Sequence, residues 1–225
     1  MPPQPETART SDGTASRTHE RFFADPVRAR RTGLALLGVV ALMAVLVPAE
    51  PLAVDRRWSE AMRDVESALL EHIALVFNAL GRGLGWALSL VAIGAALLLA
   101  RRRLAFIAFA VAECAAWLIP SLLKALTGRP RPPDGLVHPV GSSFPSGHTT
   151  YAGATYVALV LLFTEPGRRR RPWWTVATLG IVGMAWSRTY LQVHWLSDVV
   201  AGALLGIGIA LLVFGSAQLL SRHSA

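Results

Sequence analysis

Long apolar blocks separated by short arginine-rich clusters limit most strongly what this chain can fold into. An α-helix rises about 1.5 Å per residue, so about 20 apolar residues cross a hydrocarbon core of about 30 Å. Hydrophobic residues make up 53% of the 225 residues, and their concentration in blocks favours a membrane protein over a soluble domain. The sequence therefore predicts an all-α, polytopic membrane protein with six transmembrane helices. The blocks are residues 33–54, 84–100, 104–126, 149–164, 173–186 and 199–220.

The N-terminal segment and the region after the first block have a different composition. Residues 1–30 are rich in Pro, Thr, Ser, Asp and Arg without periodicity, which predicts a disordered cytoplasmic tail. The first block also resembles a signal peptide, but the long tail and the lack of a small-residue cleavage site favour a retained span. Residues 55–82 combine charges with apolar residues at three-to-four spacing. That pattern predicts an amphipathic helix that lies at the interface or extends the next span.

The arginines predict the orientation. With six spans, four basic segments fall on one side, and the positive-inside rule places that side in the cytoplasm. These segments are residues 28–31, 101–103, 168–171 and Arg222. The loops at residues 55–83, 127–148 and 187–198 then face outwards from the plasma membrane. The excess of 22 basic over 14 acidic residues is thereby assigned to cytoplasmic loops, and no nucleic-acid partner is expected.

Three polar clusters lie in two of the outer loops, and the last holds a histidine and a carboxylate. His194 and Asp198 are four residues apart at the predicted start of the final span, so they share a helix face. The carboxylate can accept the Nδ1–H of the imidazole and leave Nε2 free as a nucleophile or base. The simpler alternative is an ordinary surface pair.

The second cluster, Pro-Ser-Gly-His at residues 145–148, opens an apolar helix. The first backbone N–H groups of a helix lack internal partners and bind anions. Gly147 allows close approach of a ligand to the main chain, Ser146 adds a hydroxyl, and His148 adds a titratable ring. The pattern indicates an anion cradle, with a simple helix start as the alternative.

Fixed positive charge comes from Lys124 at the end of the third block, Arg131 in the outer loop that follows, and Arg188 just past the fifth block. Lys124 is the one lysine among the 22 basic residues. Interfacial snorkelling explains any one of these cations, but three of them beside an anion cradle and a His–Asp pair on one membrane face are poorly explained as coincidence. Arg129 is interpreted as a substrate-headgroup or lipid contact, and Glu113, inside the third span, as a structural pairing or part of a substrate path.

Together the three clusters resemble the signature of the type-2 phosphatidic-acid phosphatase family, whose superfamily includes the vanadium haloperoxidases. The matching residues are Lys124, Arg131 and Pro132, then residues 145–148, then Ser187, Arg188, His194 and Asp198. The resemblance implies that residues 31–225 form a six-span membrane phosphatase domain. It also implies an active site at the outer membrane face.

The resemblance also implies roles for these residues. His194 would form a phosphohistidine, Asp198 would orient it, and His148 would act as acid and then base. The other residues would bind the phosphate: Lys124, Arg131, Ser146, Gly147 and Arg188. The implied substrate is phosphatidic acid, phosphatidylglycerol phosphate or a polyprenyl diphosphate, the last favoured slightly by family frequency. The predicted outer loops contain no cluster of carboxylates that could hold a divalent metal ion. We therefore expect neither a metal nor a cofactor. The oligomeric state is left open.

Two other functions fit the same residues. A non-catalytic protein that binds or transports lipid phosphate could be built on the same fold, although the intact His148, His194 and Asp198 weigh against it. A vanadate-dependent haloperoxidase would hold vanadate in the same anion site, although six apolar spans argue against that class.

Overall fold

The structure is a computed structural model and describes residues 20–81 and 83–223. These residues form eight α-helices and no β-strand, which confirms the predicted all-α class. The helices are α1 (Pro26–Leu46), α2 (Ala53–Asp64), α3 (Ala68–Leu80), α4 (Gly83–Leu99), α5 (Arg103–Thr127), α6 (Gly147–Phe163), α7 (Arg171–Tyr190) and α8 (Leu196–His223). A short 3₁₀ turn, Arg168–Arg170, leads into α7.

Three helices, α1, α5 and α8, are long and apolar enough to cross a membrane. The α3–α4 pair meets the same requirement as one span bent by 50°. This bent pair agrees with the alternative that the amphipathic segment extends the next span. By length and composition the described residues thus support three or four spans, and the six-span layout and the interfacial helix stay predictions.

The first helix begins earlier than the apolar block indicated. Asp25 caps α1 by accepting the backbone N–H of Arg28 at 2.9 Å, and Pro26 occupies the first turn. The helix ends at Leu46, shortly before Pro48. Apolar periodicity did not reveal this start, because the first turns of α1 contain three arginines that a helix tolerates on its exposed face.

Part of the predicted disordered tail packs against the C-terminal helix. The side-chain oxygen of Gln218 in α8 accepts the backbone N–H groups of Phe22 and Phe23 at 2.9 and 2.8 Å. Phe22 is buried and meets the edge of Phe214 at a ring distance of 5.0 Å. The predicted tail boundary at residue 30 is therefore too late, and residues 1–19 of that tail lie outside the described residues.

The predicted amphipathic helix at residues 55–82 forms two helices instead of one. α2 ends at Asp64 and α3 begins at Ala68. Ser67 caps α3 by accepting the N–H of Leu70, and its own N–H donates to the hydroxyl of Tyr190 at 2.9 Å. The hydrogen bond between Ser67 and Tyr190 thus fixes the turn between α2 and α3 at the end of α7.

α8 lies at the centre of the bundle and packs along α1 and α6. Gly206 makes the contact with α6 possible, because a Cβ atom there would collide with the carbonyl oxygen of Thr150 and lie 2.8 Å from the nitrogen of Ala154. Small residues at such crossings let two backbones touch. The first turns of α6 and α8 consequently lie side by side, joined by a hydrogen bond from the N–H of Ser146 to the carbonyl of Asp198 at 3.0 Å.

Candidate active site

A cavity of about 390 Å³ lies where α5 and α7 end and α6 and α8 begin. Six of the eight predicted site residues line it: Lys124, Arg131, Gly147, His148, Arg188 and His194. The other two, Ser146 and Asp198, are fully buried beside it. The three sequence clusters therefore meet in space.

Lys124, in the last turn of α5, is aimed at the cavity by the loop before α6. Its ammonium group donates to the carbonyl oxygens of Ser142 and Ser143 at 2.8 and 3.2 Å. Gly128 ends the helix one turn later in a left-handed conformation, with φ of 60°. The chain thus turns back and brings the carbonyls of the following loop over the lysine.

Arg131 bridges that loop and the segment between α7 and α8. Its Nε donates to the carbonyl of Gly141 at 2.9 Å, and its Nη1 donates to the carbonyl of Val193 at 2.7 Å. The same Nη1 lies 3.2 Å from Nε2 of His194. The guanidinium is thus fixed next to the ring nitrogen that faces the cavity.

Arg188 lies in the last turn of α7 and is almost fully buried. Its Nη1 donates to the side-chain oxygen of Asn78 in α3 at 2.5 Å. Asn78 has no place in the sequence motif, and the contact shows that α3 helps to orient the third cation.

The start of α6 forms one wall of the cavity. Ser146 is the N-cap residue, and its buried hydroxyl accepts a hydrogen bond from Thr149 at 3.1 Å instead of lining the cavity. A Cβ atom on Gly147 would meet nothing within 4 Å, so the helix terminus is open to a ligand there. His148 is also in contact with the cavity, and a Cβ on Gly81 would lie 2.6 Å from its ring.

The predicted hydrogen bond between His194 and Asp198 is not formed at ordinary length. Nδ1 of His194 lies 3.6 Å from Oδ2 of Asp198, longer than a hydrogen bond. That oxygen instead accepts the backbone N–H of Trp195 at 2.9 Å, which turns the carboxylate towards its own helix terminus. Asp198 still lies on the Nδ1 side of the ring, so Nε2 is the nitrogen next to Arg131.

The environment of His194 favours the neutral ring. Burial is the main cause that lowers its pKa well below the usual 6.5, and the nearby charges of Lys124, Arg131 and Arg188 lower the pKa further. A hydrogen bond with the backbone of Ser143 acts in the opposite direction. A neutral imidazole with an available lone pair is the form that acts as a nucleophile.

The lining of the cavity is strongly positive. Among the described lining residues, three are cationic, two are histidines and none is a carboxylate. Aromatic rings complete the wall, from Trp86, Trp117 and Tyr151. Three convergent cations and a helix N-terminus have the charge that suits a multiply charged anion such as a phosphoryl group.

Arg129 does not contact the cavity, contrary to its interpretation as a headgroup or lipid contact. Its side chain is 0% exposed and lies between two carboxylates that are equally buried, Asp55 and Asp198. The sequence gives no sign of this, because Asp55 belongs to a charged segment with several similar residues.

Two further expectations concern acidic side chains. Within residues 20–81 and 83–223, no three His, Cys, Asp or Glu side chains are grouped to hold a metal ion. Glu113 is buried in α5 and accepts a hydrogen bond from Thr155 of α6 at 2.8 Å. Glu113 therefore has the structural pairing that was one of its two interpretations.

The sequence model of the PAP2 superfamily matches residues 103–222, more than half of the chain. The chain belongs to the PAP2 superfamily. This PAP2 domain is 34% identical over 110 residues to phosphatidylglycerophosphatase B of Bacillus subtilis (strain 168), a match that covers 47% of the chain and 54% of the relative. It is 39% identical over 75 residues to undecaprenyl-diphosphatase of Sulfolobus acidocaldarius, with 33% of each protein covered.

A solved structure of the PAP2 type covers more of the chain. The crystal structure of a transmembrane PAP2-type phosphatidylglycerolphosphate phosphatase from Bacillus subtilis has a TM-score of 0.73 and 26% identity, over 82% of this chain and 95% of that one. The curated relatives named above are matched over about half of their length or less. The relatives are thus phosphatases that act on membrane lipids, and the chain shares their membrane-helical PAP2 fold.

Proposed function

We propose that this PAP2 protein hydrolyses a phosphate ester or anhydride of a membrane lipid through a covalent phosphohistidine. The observation that carries the proposal is the cavity in which three cations and two histidines converge without a carboxylate among the described lining residues. Fixed cations aimed at the phosphoryl oxygens offset the charge of the transition state.

In the first step, Nε2 of His194 attacks phosphorus. Arg131 lies 3.2 Å from this nitrogen, so an oxygen held by Arg131 brings the phosphorus within reach. The N–P bond forms as the P–O bond to the lipid breaks, and His148 gives its proton to the leaving oxygen. Asp198, on the Nδ1 side, stabilises the positive charge that develops on the ring.

In the second step, water replaces the histidine. His148, now neutral, takes a proton from water, the oxygen attacks phosphorus, and the N–P bond breaks to release inorganic phosphate. Lys124, Arg131 and Arg188 hold the non-bridging oxygens in both steps.

A lipid substrate is supported by the surroundings of the cavity. An apolar cavity of about 420 Å³ between α4 and α6 shares Gly81, Trp86 and Tyr151 with the cavity of about 390 Å³ that contains His194. A hydrocarbon chain in this space would leave the phosphate next to His194. The names of the relatives agree with this class, since they act on phosphatidylglycerophosphate and undecaprenyl diphosphate. The positive-inside pattern supports an active site at the outer face of the plasma membrane.

Purified protein in detergent micelles should release phosphate from at least one lipid of a panel. The panel contains phosphatidic acid, phosphatidylglycerol phosphate and undecaprenyl diphosphate. We expect His194→Gln to lose at least about 1,000-fold in kcat, whereas the exposed His72→Gln serves as a matched control and stays active. No turnover of any member, or full activity in His194→Gln, would contradict the proposal.

Metal independence is part of the proposal. The phosphoryl charge is balanced by three side-chain cations, so we expect activity to survive EDTA and to be inhibited by orthovanadate, which mimics pentavalent phosphorus. Strict dependence on added Mg²⁺ would contradict this assignment of roles.

A further inference from the structure

A fully buried ion triad lies behind His194. Arg129 donates through Nη1 to Oδ1 of Asp198 at 2.6 Å and through Nη2 to Oδ2 of Asp55 at 2.7 Å. All three side chains are 0% exposed. Asp55 belongs to α2, Arg129 to the loop after α5 and Asp198 to α8, so the triad connects three separate parts of the fold.

Asp55 is held firmly against the guanidinium. Its Oδ1 accepts the backbone N–H of Ser197 at 2.8 Å. Its Oδ2 accepts the hydroxyl of Ser197 at 2.9 Å and the N–H of Leu52 at 3.1 Å. The Ser197 hydroxyl also accepts a hydrogen bond from Arg129 at 2.7 Å. These contacts hold Asp55 at Nη2 of Arg129, while Asp198 is held at Nη1.

Asp198 faces two cationic partners. Its Oδ1 binds Arg129, while its Oδ2 lies 3.6 Å from the ring of His194, which becomes positive as it attacks phosphorus. A carboxylate neutralised by one cation attracts a second one less strongly, and the effect is large in a buried site. Arg129 alone would therefore weaken the stabilisation that Asp198 gives to His194.

Asp55 reverses that effect, because two carboxylates and one guanidinium leave one net negative charge in the triad. The remaining charges that face His194 are positive, on Lys124, Arg131 and Arg188. His148 also lines the cavity. The triad therefore supplies the net negative charge next to His194, while the other charged groups around the ring are positive.

We infer that Asp55 is a positioning residue of the active site, which neutralises Arg129 so that the charge of Asp198 stays available to His194. This inference rests on the proposed function. It makes α2, which lies outside the sequence motif and outside the matched PAP2 region, part of the charge balance of the reaction.

The variant Asp55→Asn tests this inference. It removes the charge, keeps the shape, and leaves Arg129 and Asp198 as a balanced buried pair, so no uncompensated charge remains. Ser59→Ala is the matched control, because Ser59 lies one turn further along α2 and donates to Gln192, beside the site, at 2.5 Å. The control loosens α2 without changing charge. The measurements are kcat and KM for dioctanoyl phosphatidic acid and the Kd for inorganic orthovanadate.

We expect kcat of Asp55→Asn to fall at least about tenfold with KM within about twofold, since an interaction made in the transition state is lost. The vanadate Kd should rise about tenfold for the same reason. Ser59→Ala should stay within about threefold of wild type in all three quantities. Because both oxygens of Asp55 accept hydrogen bonds, a purely structural role predicts that the charge-retaining Asp55→Glu loses as much kcat as Asp55→Asn.

Two results would overturn the inference: wild-type kcat and vanadate Kd in Asp55→Asn, or the same losses in Ser59→Ala. If Asp55→Asn does not fold, Asp55→Glu is the deciding variant, because it retains the charge. A kcat within about threefold of wild type supports the inference, and a tenfold loss contradicts it. A wild-type protein that neither hydrolyses lipid phosphates nor binds vanadate would instead contradict the proposed function itself.

Discussion

At the scale of single residues, the proposed reaction depends on a histidine that is neutral because of its surroundings. His194 is buried among three cations, which disfavour a protonated ring, while the carboxylate of Asp198 lies 3.6 Å from its other nitrogen. Positive charge is therefore costly on the resting ring and becomes favourable when a phosphoryl group brings its negative oxygens into the cavity. The substrate itself completes the electrostatic balance of the site.

This balance predicts the pH dependence of kcat/KM. His194 must be neutral to attack, and its pKa lies well below 6.5. The fraction of neutral His194 therefore stays constant as the pH is lowered through 6.5, and protonation of His194 lowers the rate only at more acidic pH. The measurement is a pH profile of kcat/KM. It is corrected for the ionisation of the substrate phosphate, which is titrated separately by ³¹P NMR. A His194-dependent decline that begins above pH 6.5 would contradict the account.

The motif predicted which residues meet but not how they are held. Lys124, Arg131 and Arg188 were recognisable because of their spacing relative to two histidines. The burial of Arg129 depends on Asp55, more than seventy positions away in the chain, and spacing rules carry no information about such a contact. The length of the His194–Asp198 contact likewise depends on a backbone N–H that the pattern does not represent.

At the scale of helices, the site depends on the contact between α6 and α8, which places the two motif-bearing helix starts side by side. Gly206→Ala should separate these helices, because its Cβ would lie 2.8 Å from the nitrogen of Ala154 and even closer to the carbonyl of Thr150. Overpacking of this kind costs about 1–3 kcal/mol, which lowers the thermal midpoint by about 2–12 °C in a chain of this size. Activity should fall with it.

Gly38→Ala is the matched control for that prediction. Gly38 is also inside a helix, but an added Cβ would meet nothing within 4 Å. Alanine is favoured over glycine there by about 1 kcal/mol, so the thermal midpoint should stay constant or rise. Equal midpoints for the two variants would show that α6 and α8 are not in close backbone contact.

The apolar blocks predicted the bounds of α4, α5 and α6 to within two residues, whereas the start of α1 and the break between α2 and α3 were not predictable from them. The start of α1 is set by the Asp25 cap, and the break between α2 and α3 by the Ser67 cap and its bond to Tyr190. Both caps are local hydrogen bonds that set a helix start, and the apolar pattern of the sequence does not show them. The hydroxyl of Tyr190 comes from α7, so a long-range contact also fixes the second boundary.

At the scale of the whole molecule, orientation in the membrane decides which lipids reach the site. The described helices give three or four spans by length and composition. If six segments cross, the arginine clusters predict that the cavity lies on the outer side. Span number is hard to predict here because α6 and α7 carry polar residues of the site and are shorter or less apolar than α5 and α8.

Cysteine labelling tests this orientation in intact cells. In a Cys114→Ala background, Val140→Cys lies in the loop before α6 at a position that is 95% exposed. It should react with an impermeant maleimide from outside the cell. Arg169→Cys, in the turn before α7, is the control. It should react only after the cells are lysed. The reversed pattern would show that the active site faces the cytoplasm.

The most direct test of the central claim is to trap the phosphoryl group on the enzyme. Purified protein is mixed with ³²P-labelled phosphatidic acid or the panel member that it hydrolyses fastest, quenched in alkali within milliseconds, and digested. The account predicts acid-labile, base-stable label on the peptide that contains His194, and none in His194→Gln. Rapid turnover without label, or label on another residue, would contradict it.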